Sequence, residues 1–215
     1  MALCTPEFAA EAAIIRREVS IDFADSLRES GYLGDDCDGI VANTVNMFRV
    51  LKAIRFDAPM PLVGGTSLYE WYRSLDLRLH IVDDFADPSI KVSYAVGNEV
   101  FMMASRMRSI ADALADGKGA PGVPRYFLRQ TSAGIRGVGM IAGVLVHEAR
   151  HPAPGGDANH TCPPNDASLD EGGSFALQYW YFRWLAEHAQ LTHEEARLAQ
   201  ELANDIATTR FCDRL

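Results

Sequence analysis

One short pattern, His147-Glu148-Ala149-Arg150-His151, constrains this chain more than any other feature of it. The pattern follows an apolar run, Met140–Val146, so it lies at the end of a segment that is predicted to be helical. Residues four apart lie one above the other on a helix, which places both imidazoles on one face. His147 and His151 can therefore direct nitrogens at one metal ion, with Glu148 beside them as a general base.

Hydrophobic periodicity predicts helices in the N-terminal part of the chain. Apolar residues recur at helical spacing over residues 6–29, which predicts one amphipathic helix that ends near Gly31. A second helix is predicted from about Asp38 to Arg55. Prolines and glycines between residues 59 and 65 then mark a loop.

The period changes from helical to alternating after this loop. Leu75–Ile81 and Ile90–Val96 alternate apolar with polar residues, which is typical of half-buried strands. Gly97-Asn98 is a plausible two-residue turn into a further strand at Val100–Met103. Another short strand is predicted at Arg125–Gln130.

Helices are predicted again around and beyond this last strand. One runs from about Ala104 to Ala115, and Ile135–His151 is apolar on nearly every face, which indicates a buried helix. Helix resumes from about Ser168 to His188, and Thr192–Glu195 forms a capping box that opens the last helix. The order of helices, a small sheet and further helices predicts an α+β fold.

Bulk composition bounds the domain organisation and the partners. A chain of 215 residues, 48% of them hydrophobic and 23% charged, suits a single globular domain, residues 1–215. Its helices and sheet occupy residues 1–135 and its metal-site helices residues 136–215. The net charge of -9 argues against nucleic-acid binding, and no apolar run reaches the roughly 20 residues of a membrane span.

The cysteines leave the compartment open. Cys4, Cys37, Cys162 and Cys212 are even in number and widely spaced, which suits two disulfides in a secreted domain and, nearly as well, four buried thiols. The N-terminus lacks the basic and apolar regions of a signal peptide. A mature secreted or periplasmic domain is expected if the cysteines are paired, and a cytoplasmic protein if they are not.

A catalytic zinc keeps three protein ligands, so the motif predicts a third ligand elsewhere. Glu171, in the predicted first turn of the next helix, is the preferred residue. Pro152 forces the chain to turn directly after the motif, and the following loop carries His160, the alternative third ligand. Asp157 and Asp166 rank behind these two.

Both candidate ligands also have ordinary structural interpretations. Ser168–Glu171 is itself a capping-box pattern in which Glu171 would serve the backbone, and His160 alone is typical of a solvated loop histidine. Asp166 and Asp170 can accept the second N–H of a metal-bound imidazole, or can act as helix N-caps.

Four glycines flank the predicted site. Gly139 and Gly143 lie about two turns and one turn before His147 on nearly the same face, where they would let another element pack closely. Gly172 and Gly173 would do the same on the partner helix, at some cost in helix propensity.

The two segments together resemble the gluzincin branch of the zincin metallopeptidases. In that family H-E-x-x-H is followed by a glutamate on a later helix, often with small residues just after it and an aromatic-Ala pair further on. Glu171, Gly172 and Phe175-Ala176 match this pattern, and the resemblance covers His147–His151 and Glu171–Tyr179.

Two residues depart from the family pattern. Arg150 is charged where the motif usually has an uncharged residue, and Pro152 follows the second histidine directly. The early end of the helix is also similar to metzincins, in which a loop brings back a third histidine. His160 could serve in this way, although its nine-residue offset from His151 is not the metzincin spacing.

The resemblance implies an α+β, zincin-like domain in which N-terminal helices and a small mixed sheet pack on a buried metal-bearing helix, followed by C-terminal helices. It implies a metallopeptidase with one Zn²⁺ that cleaves peptide or protein substrates through a zinc-activated water, with Glu148 as general base and then acid. Candidate donors to the oxyanion are His160, Tyr179 and Arg150. Arg125–Gln130 is a candidate edge strand for an extended peptide.

Two alternatives stand beside this expectation. Arg150 and Pro152 suggest a zincin-like domain that binds metal or a partner without catalysing turnover. The motif can also arise by chance in an α+β domain that binds no metal. Metal content distinguishes the chance motif from the two metal-binding interpretations, and turnover distinguishes the inactive domain from an enzyme.

Overall fold

The computed structural model describes residues 5–31, 33–34, 39–55, 66–83, 85, 93–104, 135–156, 159–188 and 193–213. In these ranges the elements are seven helices and four strands: α1 Pro6–Glu18, β1 Ser20–Phe23, α2 Asp25–Glu29, α3 Gly39–Ala53, α4 Leu68–Ser74, β2 Arg78–Val82, β3 Ser93–Val96, β4 Glu99–Met103, α5 Ile135–Arg150, α6 Ser174–His188 and α7 His193–Thr209. The predicted α+β class is confirmed. The helix predicted from Ala104, apart from Ala104 itself, and the strand predicted at Arg125–Gln130 lie outside the described residues.

The prediction of a single helix over residues 6–29 is wrong. α1 ends at Glu18, Val19 has extended backbone angles, and β1 pairs in parallel with β2. Hydrogen bonds to β2, a strand far along the chain, decide the conformation of residues 20–23, because they offset the loss of helical hydrogen bonds there. These residues also alternate between polar and apolar, as a strand does. The helical pattern resumes only in the short α2.

The strand predicted from Leu75 begins at Arg78, because residues 68–74 form α4. Ser67 caps this helix: its hydroxyl accepts from the Glu70 N–H, and the Glu70 carboxylate accepts from the Ser67 N–H. This reciprocal pair is a capping box, a signal that is present in the sequence as Ser-x-x-Glu.

The sheet is mixed and has the strand order β1-β2-β4-β3. β1, β2 and β4 run parallel, and β3 is antiparallel to β4 at one edge of the described sheet. The predicted turn at Gly97-Asn98 is confirmed, since Val96 pairs with Glu99 and Gly97 has a φ of 59°. The buried face of the sheet is formed by Leu79, Ile81, Val100 and Met102.

α5 lies at the centre of the fold, as its apolar sequence predicts. It contacts α3, α4, α6, β3 and β4. Its side chains Ile141, Ala142, Leu145, Val146 and Ala149 are all buried. Burial of each large aliphatic side chain contributes about 1.5–3 kcal/mol, so packing holds this helix in place.

The C-terminal region is tied to the loop that precedes α6. A disulfide joins Cys162 in that loop to Cys212 beyond α7, and Asp166 forms a backbone bridge with Phe211. Cys4 and Cys37 lie outside the described residues. Within the described ranges, none of the helices has the length and apolar character that crossing a bilayer demands.

Gly143→Ala is expected to destabilise the protein. A Cβ there would lie 2.8 Å from Phe182 Cζ and 3.1 Å from Tyr181 Cε1, and both rings are buried. Alanine gains up to about 1 kcal/mol in helix propensity, whereas overpacking costs about 1–3 kcal/mol. A net loss of about 1 kcal/mol in the free energy of unfolding should be measured by urea denaturation.

Gly139→Ala on the same helix is the matched control. Its Cβ would meet Leu185 Cδ1 and Tyr181 Oη at 3.9 Å, an ordinary contact. This variant should be neutral or slightly stabilising, since only the propensity gain remains. Equal effects of the two substitutions would contradict the packing argument.

Candidate metal centre

Three histidines from two parts of the chain converge at the C-terminal end of α5. The possible ligand atoms of His147, His151 and His160 all lie within 4.8 Å of one another. His147 and His151 belong to the H-E-x-x-H motif, and His160 comes from the loop between α5 and α6. The ring centroids lie 5.1 Å apart for His147–His151, 5.3 Å for His147–His160 and 4.7 Å for His151–His160.

A buried carboxylate orients His160. The Nδ1 atom of His160 lies 2.7 Å from Oδ1 of Asp166, which has no solvent exposure. The other carboxylate oxygen accepts the backbone N–H groups of Phe175 and Ala176 at the start of α6. A helix N-terminus favours a negative charge, and a histidine held through Nδ1 presents Nε2 to a metal.

The glycines before α6 make room for this carboxylate. A Cβ on Gly173 would lie only 2.5 Å from Asp166 Oδ2. Gly172 adopts a φ of 69°, in the left-handed region that favours glycine. The expectation that these glycines permit a close approach agrees with this geometry, although both precede the helix rather than belong to it.

The other two histidines are held by α5 and α6. Nδ1 of His151 lies 3.1 Å from the hydroxyl of Ser174, the buried first residue of α6. His147 is 8% exposed, and burial, together with the neighbouring His151 and His160, lowers its pKa well below the usual value. A neutral imidazole is the form that binds metal.

The donor set suits a zinc ion. Three imidazoles form a known catalytic zinc set that leaves a fourth position open. The Nδ1 atom of His147 is buried and has no hydrogen-bond partner in the part of the chain that the structure describes. A buried polar atom without a partner is costly, and a metal ion bound at this nitrogen would offset the cost.

Glu148 lies beside the histidines with its carboxylate buried. It is 7% exposed, and its Oε1 accepts a 2.7 Å hydrogen bond from the hydroxyl of Ser93 on β3. Burial raises the pKa of Glu148, and the Ser93 bond acts in the opposite direction. A raised pKa makes a carboxylate a stronger base, which is the direction that general-base catalysis requires.

The group of converging ligand atoms contains His160, the alternative third ligand, and does not contain Glu171, the preferred one. α6 begins at Ser174 rather than Ser168, so Glu171 lies in the turn before the helix. Its Oε2 accepts from the Thr161 hydroxyl at 2.7 Å and from the Ala167 N–H at 2.8 Å. Glu171 therefore braces the loop that carries His160, a role close to the capping function that its sequence context predicts.

The three remaining acidic candidates, Asp157, Asp166 and Asp170, do not share one position. Asp166 contacts His160, as described above, whereas Asp170 is exposed on the turn before α6. Asp157 lies outside the described residues. Asp166 ranks behind Glu171 and His160 as a predicted ligand. Its contact with the His160 imidazole corresponds to the other expectation, that it accepts from a metal-bound histidine.

Arg150 binds the loop backbone rather than facing the histidines as an open cation. It is 2% exposed, and its guanidinium donates to the carbonyls of Gly172 at 2.7 Å and Pro154 at 2.9 Å, and to that of Gly155. The C-terminal end of a helix also favours a positive charge. The departure from the family motif at this position thus has a structural explanation.

Two serines near the site were not anticipated from the sequence. Ser93 lies 55 positions before Glu148, and no local pattern connects them. Ser174 follows two glycines at a helix start, which is a weak signal for a polar side chain near the site. Tyr179, a candidate oxyanion donor, lies 3.4 Å from Arg183 Nη1 through its hydroxyl.

Comparison of the chain with family models, with curated proteins and with solved structures finds no match. The interpretation of this site therefore depends on its own geometry and chemistry.

Arg150→Met should lower the free energy of unfolding by roughly 2–4 kcal/mol, because it removes the donor from three backbone carbonyls. Methionine keeps most of the apolar volume, so the loss reports on the hydrogen bonds. Guanidinium denaturation would measure it.

Arg197→Met is the control for this substitution. Arg197 pairs with Glu201 on the exposed side of α7, and such a pair contributes at most about 0.5 kcal/mol. Equally small effects at both positions would contradict a structural role for Arg150.

Proposed function

We propose that this chain is a zinc-dependent hydrolase, and specifically a metallopeptidase, in which His147, His151 and His160 hold one Zn²⁺. The observation that carries this proposal is the convergence of three imidazoles next to a buried glutamate that immediately follows the first of them. The buried, motif-bearing α5 and the small mixed sheet are also compatible with a zincin-like domain.

Zinc bound at these histidines would polarise the carbonyl of the scissile amide and lower the pKa of a water molecule. Glu148 takes a proton from the attacking water and delivers it to the leaving amine. Its buried position supports this role, because desolvation raises the pKa of the carboxyl group above its usual value. Asp166 and Ser174 keep the two imidazoles that they contact in fixed orientations.

The substrate is proposed to be a peptide in extended conformation. β3 is one of the two edge strands of the described sheet, and its residue Ser93 contacts Glu148. A peptide that pairs with this edge would pass the general base, and main-chain hydrogen bonds would supply much of its affinity. The candidate edge strand Arg125–Gln130 lies outside the described residues.

The disulfide between Cys162 and Cys212 is compatible with an extracellular location. We infer that the protein works in an oxidising compartment, outside the cell or in a periplasm. The disulfide ties the loop that carries His160 and Asp166 to the segment after α7, so it would also restrain the position of these two residues.

A zincin-like domain without turnover is the alternative proposal. Arg150 and Pro152 motivate it, and the contacts of Arg150 with loop carbonyls account for Arg150 without reference to catalysis. Those contacts leave the enzyme as the better-supported function, and turnover by the zinc-loaded protein decides between the two.

Zinc content tests the ligand set. About one zinc per chain is expected for the wild type after reconstitution. His160→Ala should lower zinc affinity by more than the roughly 10- to 100-fold that loss of an outer-shell partner costs. Glu171→Ala should retain zinc, since its carboxylate binds Thr161 and Ala167. Elemental analysis and a competition titration with a chelator measure both.

His188→Ala is the control for that titration, because His188 is exposed on α6 and should not affect the zinc content. Retention of zinc by His160→Ala together with loss in Glu171→Ala would restore the glutamate as third ligand. A wild type that binds no zinc would exclude the metal site altogether.

Glu148→Gln should bind zinc normally and lose turnover by a factor of about 10²–10⁴, the usual contribution of a general acid–base. The amide keeps the size of the side chain but cannot take up a proton. Hydrolysis of a broad library of quenched fluorescent peptides provides the measurement. Unchanged turnover in this variant would exclude the mechanism, and a zinc-loaded wild type that cleaves nothing would favour the alternative function.

A further inference from the structure

We propose that Ser93 is a positioning residue that holds the Glu148 carboxylate in its catalytic orientation and links it to the edge strand of the sheet. This inference rests on the proposed function. Its direct basis is the 2.7 Å hydrogen bond that the Ser93 hydroxyl donates to Oε1 of Glu148.

The backbone of Ser93 is fixed by the sheet. Ser93 is the first residue of β3 and pairs with Met102 of β4, whose side chain is 1% exposed in the core. β4 continues the parallel pairing with β2, and α5 packs against both β3 and β4. The hydroxyl is therefore presented to Glu148 from a rigid element, which gives better positional precision than a loop would.

The carboxylate of Glu148 needs such a partner for two reasons. A buried carboxylate is costly unless it is hydrogen-bonded, and Glu148 is 7% exposed. A glutamate side chain also has several rotamers, of which few aim the carboxylate correctly. With Oε1 engaged by Ser93, Oε2 is the oxygen that takes up the proton. Loss of the bond would misplace the base without removing it.

The position of Ser93 also connects substrate binding to the base. If an extended peptide pairs with the edge of β3, the same strand carries the substrate and orients the residue that acts on it. Misplacement of a catalytic group by about 1 Å can cost 10²-fold in rate, so this link acts mainly on the chemical step.

Peptide hydrolysis by the zinc-loaded Ser93→Ala, Ser93→Thr and Ser20→Ala variants tests the inference. Ser93→Ala should lower kcat by roughly 10- to 100-fold with little change in KM or in zinc content. Ser93→Thr keeps the hydroxyl and suits a strand, so it should restore most of kcat. Ser20→Ala removes a hydroxyl from the exposed first residue of β1, at the opposite edge, and should leave kcat unchanged.

A second readout does not need zinc or turnover. The melting temperatures of the metal-free wild type, Ser93→Ala, Glu148→Ala and the double variant form a thermodynamic cycle. If the hydrogen bond forms, the shift in the double variant should differ from the sum of the two single shifts. A serine that only fills space would give additive shifts.

The outcomes separate the failure of the inference from the failure of the proposed function. If the wild type is active, any one of three results would overturn the role of Ser93 alone. These are a normal kcat in Ser93→Ala, a low kcat that Ser93→Thr does not restore, and additive melting shifts. A zinc-loaded wild type with no turnover would overturn the proposed function and the role of Ser93 with it. Lowered kcat, rescue by threonine and non-additive melting shifts together support the inference.

Discussion

The hydrogen bond between Asp166 and His160 is the interaction on which the candidate site depends. Asp166 is fully buried, and a charge in that position is tolerated only because its oxygens meet an imidazole and two N–H groups at the start of α6. The same residue bridges to the chain beyond α7 through Phe211. One carboxylate thus joins the loop, the following helix and the C-terminal segment, and it keeps His160 beside His147 and His151.

The helix α5, which carries His147, is held at its middle and at its C-terminal end by different means. Its middle is fixed by apolar packing so close that Gly143 leaves no space for a Cβ against the rings of α6. Its C-terminal end is fixed by Arg150, whose guanidinium donates hydrogen bonds to loop carbonyls. The packing and the Arg150 contacts together hold α5, which ends at Arg150, while the following loop brings His160 next to His147 and His151.

Local patterns predicted some elements well and others poorly, for a physical reason. The helix that bears His147 and the turn at Gly97-Asn98 depend on residues close in sequence, so their periodicity and turn chemistry sufficed. β1 depends on hydrogen bonds to β2, and residues 20–23 therefore looked like the continuation of a helix. α4 begins with a capping box at Ser67 that is readable in the sequence as Ser-x-x-Glu, directly after a proline- and glycine-rich stretch.

By itself the sequence determined the α+β class, the central buried helix and the pairing of His147 with His151, since a spacing of four residues fixes a shared helical face. The tertiary structure alone decided that His160 rather than Glu171 joins them, because a loop's path is set by contacts such as those of Arg150 and Asp166. It also decided that Ser93 meets Glu148 across 55 positions of chain. Such contacts follow from the packing of strands against a helix, and no local propensity encodes them.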